Sequence, residues 1–143
     1  MKHKLIYLSG AITGIPKQES YEWRKIIKDT FEDIEPDRVH VYNPLDHFSE
    51  MSIYIGKLND SEIMDVDLYK LRNSDFVFHN CAYSKSLGTM AEIAIAYERK
   101  IPILSFNEKQ EEIHPWLRGM ISKIFTNKEE LIDFFVRHYM YDE

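Results

Sequence analysis

The sequence predicts an α/β fold, a doubly wound and mostly parallel five-stranded sheet with helices on both faces. Short strand-like runs alternate with longer runs of helical periodicity along the chain, the pattern of a sheet built from strand–helix–strand units. Right-handed crossovers between parallel strands then place helices on both sides of the sheet. The 143 residues, 44% of them hydrophobic, match the size of one domain with a real core, read here as residues 1–143.

Residues 4–8 (KLIYL) form the first strand. "SGAITGIP" follows, a loop punctuated by two glycines and a proline. Residues 20–34 predict an amphipathic helix that starts at a cap-type Ser20 and turns Trp23, Ile26, Ile27, Phe31 and Ile34 inward. "RVHVYN" is the second strand, stopped by Pro44. Residues 45–59 are irregular and rich in aromatics and Met, long enough for a lid or binding loop. Asp60 caps a helix that runs to about Arg72. "DFVFHN" is the third strand, 80–88 a loop, 89–99 a helix and 101–106 (IPILSF) the fourth strand. A short helical piece near 114–121, a brief strand at 123–126 and a helix over about 127–141 complete the chain. In such Rossmann/flavodoxin-like sheets, ligands sit at the carboxyl ends of the strands.

Two carboxylates stand where apolar residues are expected. On the helix from Asp60 to Arg72, Ile63, Met64, Val66, Leu68 and Leu71 span an arc of roughly 200°, and Asp67 falls near its middle. An inward carboxylate needs partners, either as the cap of a neighbouring loop or as a functional group. Glu92 is the second. Thr89-x-x-Glu92 matches a capping box, in which Glu92 would only reach back to the cap N–H. Yet the helix around it (Met90, Ala91, Ile93, Ala94, Ile95, Ala96, Tyr97) is apolar nearly all round, which predicts that other elements cover it. Its start also lies at the sheet edge where ligands bind.

Composition narrows the function. A net charge of −6 argues against a general nucleic-acid binder. No apolar run approaches the ~18 residues of a membrane span. A single cysteine, Cys81, excludes an internal disulfide and fits a reducing cytoplasm. The histidines at 3, 40, 47, 79, 114 and 138 lack paired ligand spacing, so no metal site is expected. The glycines of "SGAITG" lack the spacing of a dinucleotide fingerprint. His79 and Cys81 share one strand face, so a Cys–His pair is conceivable. Aromatics at 42, 48 and 54 suit either a base pocket or loop packing.

"IYLSGAITG", "DLYKLRNSDFVF" and "SLGTMAEIAIAYERKIPIL", in that order and spacing, resemble the nucleoside 2-deoxyribosyltransferase superfamily. The closer match is its branch of nucleoside 5′-monophosphate N-glycosidases, and "YLSGAITGIP" with "NPLDHF" resembles phage-type members of the group. The resemblance covers residues 5–122 and is best in Gly88-x-x-x-Glu92 with its Ala-rich helix and "KIPIL". It implies a small nucleoside or nucleotide substrate, no cofactor, and a homodimer or larger homo-oligomer. It also implies roles for residues. Glu92 matches the family nucleophile, Asp67 the carboxylate that addresses the base, and Tyr7 the tyrosine that orients the nucleophile. Ser86 stands where the monophosphate hydrolases resemble each other in carrying a Ser for the 5′-phosphate, and where the transferases carry an Asp for the sugar hydroxyl. Gly88 and Thr89 would add backbone N–H groups, and Ser9, Gly10, Ala11, Ile12 and Gly14 would wrap the ligand. His114 aligns with a phosphate-binding Ser that these hydrolases take from a neighbouring subunit, and Trp116 in "HPWLRG" would cross with it or pack as a core Trp. Thr13 stands where the hydrolases often carry an Arg.

Overall fold

A computed structural model of the protein describes residues 3–46 and 59–141. In chain order its elements are β1 (Lys4–Ser9), α1 (Lys17–Ile34), β2 (Val39–Tyr42), α2 (Asp60–Arg72), β3 (Phe76–Asn80), α3 (Leu87–Glu98), β4 (Ile103–Phe106), α4 (Pro115–Met120), β5 (Lys123–Phe125) and α5 (Lys128–His138). The five strands form one sheet in the order β2-β1-β3-β4-β5, and every pairing is parallel. This is the flavodoxin-like order, in which the chain changes its direction of travel between β1 and β3. At that switch point the carboxyl ends of two neighbouring strands diverge and leave room for a ligand.

Strand alternation divides the core in two. Ile6 and Leu8 of β1 and Phe76 and Phe78 of β3 pack with Trp23, Ile27, Phe31, Leu131 and Phe135, from α1 and α5. Tyr7, Val77, Cys81 and Ile103 point the other way and pack with Leu71 of α2, Ile93 and Ala96 of α3, and Leu117 of α4. Burial on both faces is what parallel strands require.

Local chemistry moved several boundaries. Helix α1 begins at Lys17, after Pro16, so Ser20 lies inside the first turn and its hydroxyl donates to the Lys17 carbonyl. Proline suits a helix start because it has no N–H to satisfy there. Within α1, Trp23, Ile27 and Phe31 are buried, whereas Ile26 and Ile34 are exposed. The cap of α2 is Asn59, not Asp60. Asn59 accepts from the Glu62 N–H while Glu62 reaches back to the Asn59 N–H. The expected loop at 45–59 falls largely on residues 47–58, which lie outside the described residues, as do Phe48 and Tyr54.

Candidate active site

Alternation puts Tyr7 and Ser9 on the same side of β1, toward α3. Glu92 answers from α3. The expected capping box is not formed, because Ser86 is the N-cap and the helix begins at Leu87. Glu92 therefore sits in the second turn, free of the helix terminus, and its carboxylate turns to the end of β1. The Tyr7 hydroxyl donates to Oε2, and the Ser9 hydroxyl donates to Oε1 at 2.9 Å. Each carboxylate oxygen thus receives a donor fixed on the buried end of β1. Tyr7 and Ser9 are both 0% exposed, so these donors have no water to turn to.

Burial pushes the Glu92 carboxyl up to about 7, opposed by the two hydroxyl donors and by the positive charge of Arg24, and assisted by the charge of Asp67. Tyr7 is held well above the ordinary tyrosine range, first by burial and then by Glu92. It keeps its proton and remains a donor. The carboxyl is thus poised near neutrality beside donors that prefer it ionised.

Asp67 is buried on α2, as its place between Ile63 and Leu71 implied. The Tyr42 hydroxyl donates to its Oδ1 at 2.9 Å. Tyr42 is the register partner of Tyr7 across the β1–β2 ladder, and the two rings stack with centroids 5.5 Å apart. Burial and Asp67 raise the Tyr42 hydroxyl above its usual range, so it too remains a donor. Two tyrosine–carboxylate pairs, Tyr7–Glu92 and Tyr42–Asp67, lie side by side at the carboxyl edge of the sheet. From the sequence Tyr42 suits either a base pocket or loop packing. Only its register with Tyr7 places it.

Ser86 accepts from the Thr89 N–H at 3.5 Å and from the Thr89 hydroxyl at 3.1 Å. A Cβ at Gly88 would meet nothing within 4 Å, so the backbone there is open to an incoming group. In the first loop, Gly10 and Ala11 are buried, Ile12 is half-buried, and Thr13 and Gly14 are exposed, Gly14 with a left-handed φ of 79°. His114 is exposed and caps α4, with its Nδ1 accepting from the Trp116 N–H at 3.1 Å. Trp116 is 78% exposed, which removes the core-Trp reading. The structure therefore brings Tyr7, Ser9, Asp67 and Glu92 together. His114 and Trp116 lie on α4, and no hydrogen bond among the described residues joins them to these four.

His79 and Cys81 do share a face, with Sγ 3.9 Å from Nδ1, but the imidazole is engaged by the Ser105 hydroxyl at 2.8 Å. Burial holds His79 down at about 4 and pushes the Cys81 thiol up to about 12. A neutral imidazole and an un-ionised thiol make this a packed pair rather than a nucleophile. No group of three or more His, Cys, Asp or Glu suited to a metal ion occurs among the described residues. A cavity of about 450 Å³ opens on the α1 side of the same sheet edge, lined in part by Ala11, Trp23, Tyr83 and Lys109, and does not include Glu92.

Helix α3 is not covered all round, contrary to its apolar sequence. Leu87 is 87% exposed and Tyr97 52%, because α2 and α4 cover only part of its surface. No described helix is long and apolar enough to cross a membrane.

No protein-family model matches the chain, and no curated protein sequence does. Solved structures do. A 2-deoxyribosyltransferase from Bacillus psychrosaccharolyticus superposes with a TM-score of 0.71 at 16% identity, over 96% of this chain and 93% of that one. A conserved protein from Enterococcus faecalis V583 gives 0.79 at 14% identity, over 94% and 98%. The CMP N-glycosidase BcmB of Clostridium botulinum gives 0.62 at 16% identity, over 94% and 99%. The chain has the fold shared by 2-deoxyribosyltransferases and this N-glycosidase, over nearly the whole length of each. At these identities the likeness is one of fold, and function rests on the side chains at the sheet edge.

Proposed function

We propose that the whole chain is one catalytic domain that cleaves the N-glycosidic bond of a (deoxy)nucleoside 5′-monophosphate, releasing base and sugar phosphate. One observation carries the reading. A carboxylate held by two buried hydroxyls, with a second carboxylate beside it, stands at the switch point of a fold found in enzymes of this chemistry. A non-catalytic binding module has no use for a carboxyl poised near neutrality in that place.

Breaking the bond from C1′ to the base builds positive charge on the sugar. In the first step a Glu92 oxygen bonds to C1′, and the electron pair of the broken C–N bond leaves with the base. Asp67 passes the departing base a proton. In the second step water attacks C1′, the ester to Glu92 breaks, the carboxylate is restored, and the proton from water returns to Asp67. A second base in place of water would make the same site a transferase. Tyr7 and Ser9 hold Glu92 in line throughout, and Tyr42 holds Asp67.

Ser86 and the N–H groups near Gly88 and Thr89 would receive the 5′-phosphate, with His114 of a neighbouring subunit as a further donor and Trp116 beside it. Ser9, Gly10, Ala11, Ile12 and Gly14 would wrap the ligand. This requires at least a dimer, and the bulky exposed side chains of α3 and α4 suit such a contact. A fully active monomer by light scattering at assay concentration would exclude it. The deoxyribosyltransferase alternative, acting on free nucleosides, is favoured by Thr13, which offers no positive charge to a phosphate.

Base release from a panel of nucleosides and 5′-monophosphates tests the reading. The wild type should favour a monophosphate. Ser86→Asp should lower kcat/KM for it by about ten- to several-hundred-fold, since a charged hydrogen bond is worth about 1.5–3 kcal/mol. The free nucleoside should be spared. Equal losses on both substrates would move the transferase reading ahead.

A further inference from the structure

Arg24 is 0% exposed, on the inner face of α1. Its guanidinium donates to three backbone carbonyls: Ser20 in its own helix at 2.9 Å, and Leu8 and Gly10 at 2.8 Å each. Among the described residues it makes no ion pair. A buried cation without a contacting carboxylate is costly, and a helix could be closed onto a strand by apolar packing at less expense. Trp23, Ile27 and Phe31 already do this for α1. The cation therefore calls for another explanation, and its acceptors suggest one.

Leu8 and Gly10 flank Ser9, whose hydroxyl meets Glu92 at 2.9 Å. Arg24 holds the carbonyl on each side of that residue through the rigid fork that only a guanidinium offers. Its charge is also close enough to act on Glu92 across the end of β1. The other titratable groups around Glu92 are Tyr7 from β1, Asp67 from α2 and, one ring further, Tyr42 from β2. Two of these groups are tyrosines that keep their protons and the other is acidic, so Arg24 is the cation of the set.

We propose that Arg24 is a positioning residue for Glu92: it clamps the two carbonyls that bracket Ser9, so fixing the hydroxyl that orients the carboxylate, and it lends that carboxylate a buried positive charge. The proposal rests on the reading of Glu92 as the nucleophile and adds the part of the chain that keeps it aimed and ionised. Desolvation alone would leave Glu92 protonated at neutral pH, and a permanent charge from the other side of the sheet offsets it.

The test uses Arg24→Lys, Arg24→Met and Ser9→Ala in the full-length protein. The first readout needs no substrate: a ¹³C NMR titration of the Glu92 carboxyl, assigned with Glu92→Gln. Arg24→Met should move the midpoint up by about one pH unit, and Arg24→Lys should leave it near the wild-type value. The second readout is kinetic. Arg24→Lys keeps the charge but cannot fork two carbonyls, so kcat for the monophosphate should fall about tenfold to a hundredfold with KM little changed. Adding Ser9→Ala to Arg24→Lys should cost little more than the slower single change, because both act on one hydroxyl. If Arg24→Met does not fold, the lysine variant and this double-mutant cycle decide. An unshifted Glu92 titration in a folded Arg24→Met, or additive effects of Ser9→Ala and Arg24→Lys, would overturn the proposal. A wild type that releases no base would sink the proposed function, while the titration would still support or overturn the action of Arg24 on Glu92.

Discussion

The two faces of the sheet are made by the same strands and differ in kind. Toward α1 and α5 the strands present Ile6, Leu8, Phe76, Phe78, Leu104 and Phe106. Phe31, Phe78 and Phe135 meet there edge-on or tilted, with centroids 5.3–6.0 Å apart. Toward α2, α3 and α4 the same strands present the apolar Val77 and Ile103 and, among them, Tyr7, Ser9, Tyr42, His79, Cys81 and Ser105. These polar groups are paired with one another or with Glu92 and Asp67. A strand of period two can thus serve folding with one set of residues and chemistry with the next. The lesson is one of separable groups: damage to the phenylalanine cluster should register in stability and damage to the tyrosine–carboxylate pairs in rate, with Arg24 reaching from the α1 face to the other.

The largest effect should come from Glu92. Glu92→Ala should abolish base release, at least a thousandfold in kcat, while nucleotide binding by calorimetry persists. Near-normal turnover would mean that Glu92 is a structural residue. On the apolar face, Phe31→Ala should cost about 3–5 kcal/mol of stability, read by urea unfolding, with kcat per folded molecule unchanged. A matching fall in kcat would show that the two faces are coupled through more than Arg24. Tyr42→Phe should be milder. It removes the donor to Asp67 but keeps the stack on Tyr7, so kcat should fall about tenfold with only a small change in melting temperature.

A further effect is one of pH. Glu92 holds its proton more tightly in the fold than in the unfolded chain, so between pH 4.5 and about 7 the native state binds more protons. Its contribution to stability is therefore lost as pH rises through that window. Glu92→Gln should be more stable than the wild type at pH 8, on the order of 1–3 kcal/mol, and the gap should close toward pH 4. Activity has the opposite slope, because the nucleophile must be ionised: kcat/KM should rise with pH through about 7. A gap in stability that is constant with pH would contradict the buried, proton-holding carboxyl.

The fold was readable because the strands and helices alternate with clear periods, and Asp67 because it interrupts an apolar row at one i, i+4 spacing. The start of α3 was not. Ser86 and Thr89 are both good caps, and Thr89-x-x-Glu92 fits the capping motif, but Leu87, a poor guide because it faces solvent, is in fact the first helical residue. Tyr42 needed the pairing of β2 with β1, which local pattern does not supply. Arg24 left a signal that amphipathic reasoning passes over. It stands three residues before Ile27 and seven before Phe31, on the buried row, where an arginine is out of place.

The crowding at Gly10 sets which substitutions the tip of β1 can take. A methyl group there would lie 2.7 Å from the Trp23 ring and 3.5 Å from the Arg24 guanidinium, whereas one at Gly88 or Gly119 would meet nothing within 4 Å. A side chain at position 10 therefore requires the buried Trp23 ring to shift or to be made smaller, and a smaller Trp23 loosens the seat of α1 while the glycine is still in place. Two changes, each harmful alone, would have to occur together. The tip of β1 is thus tied to one glycine, one indole and one guanidinium that fit only as a set.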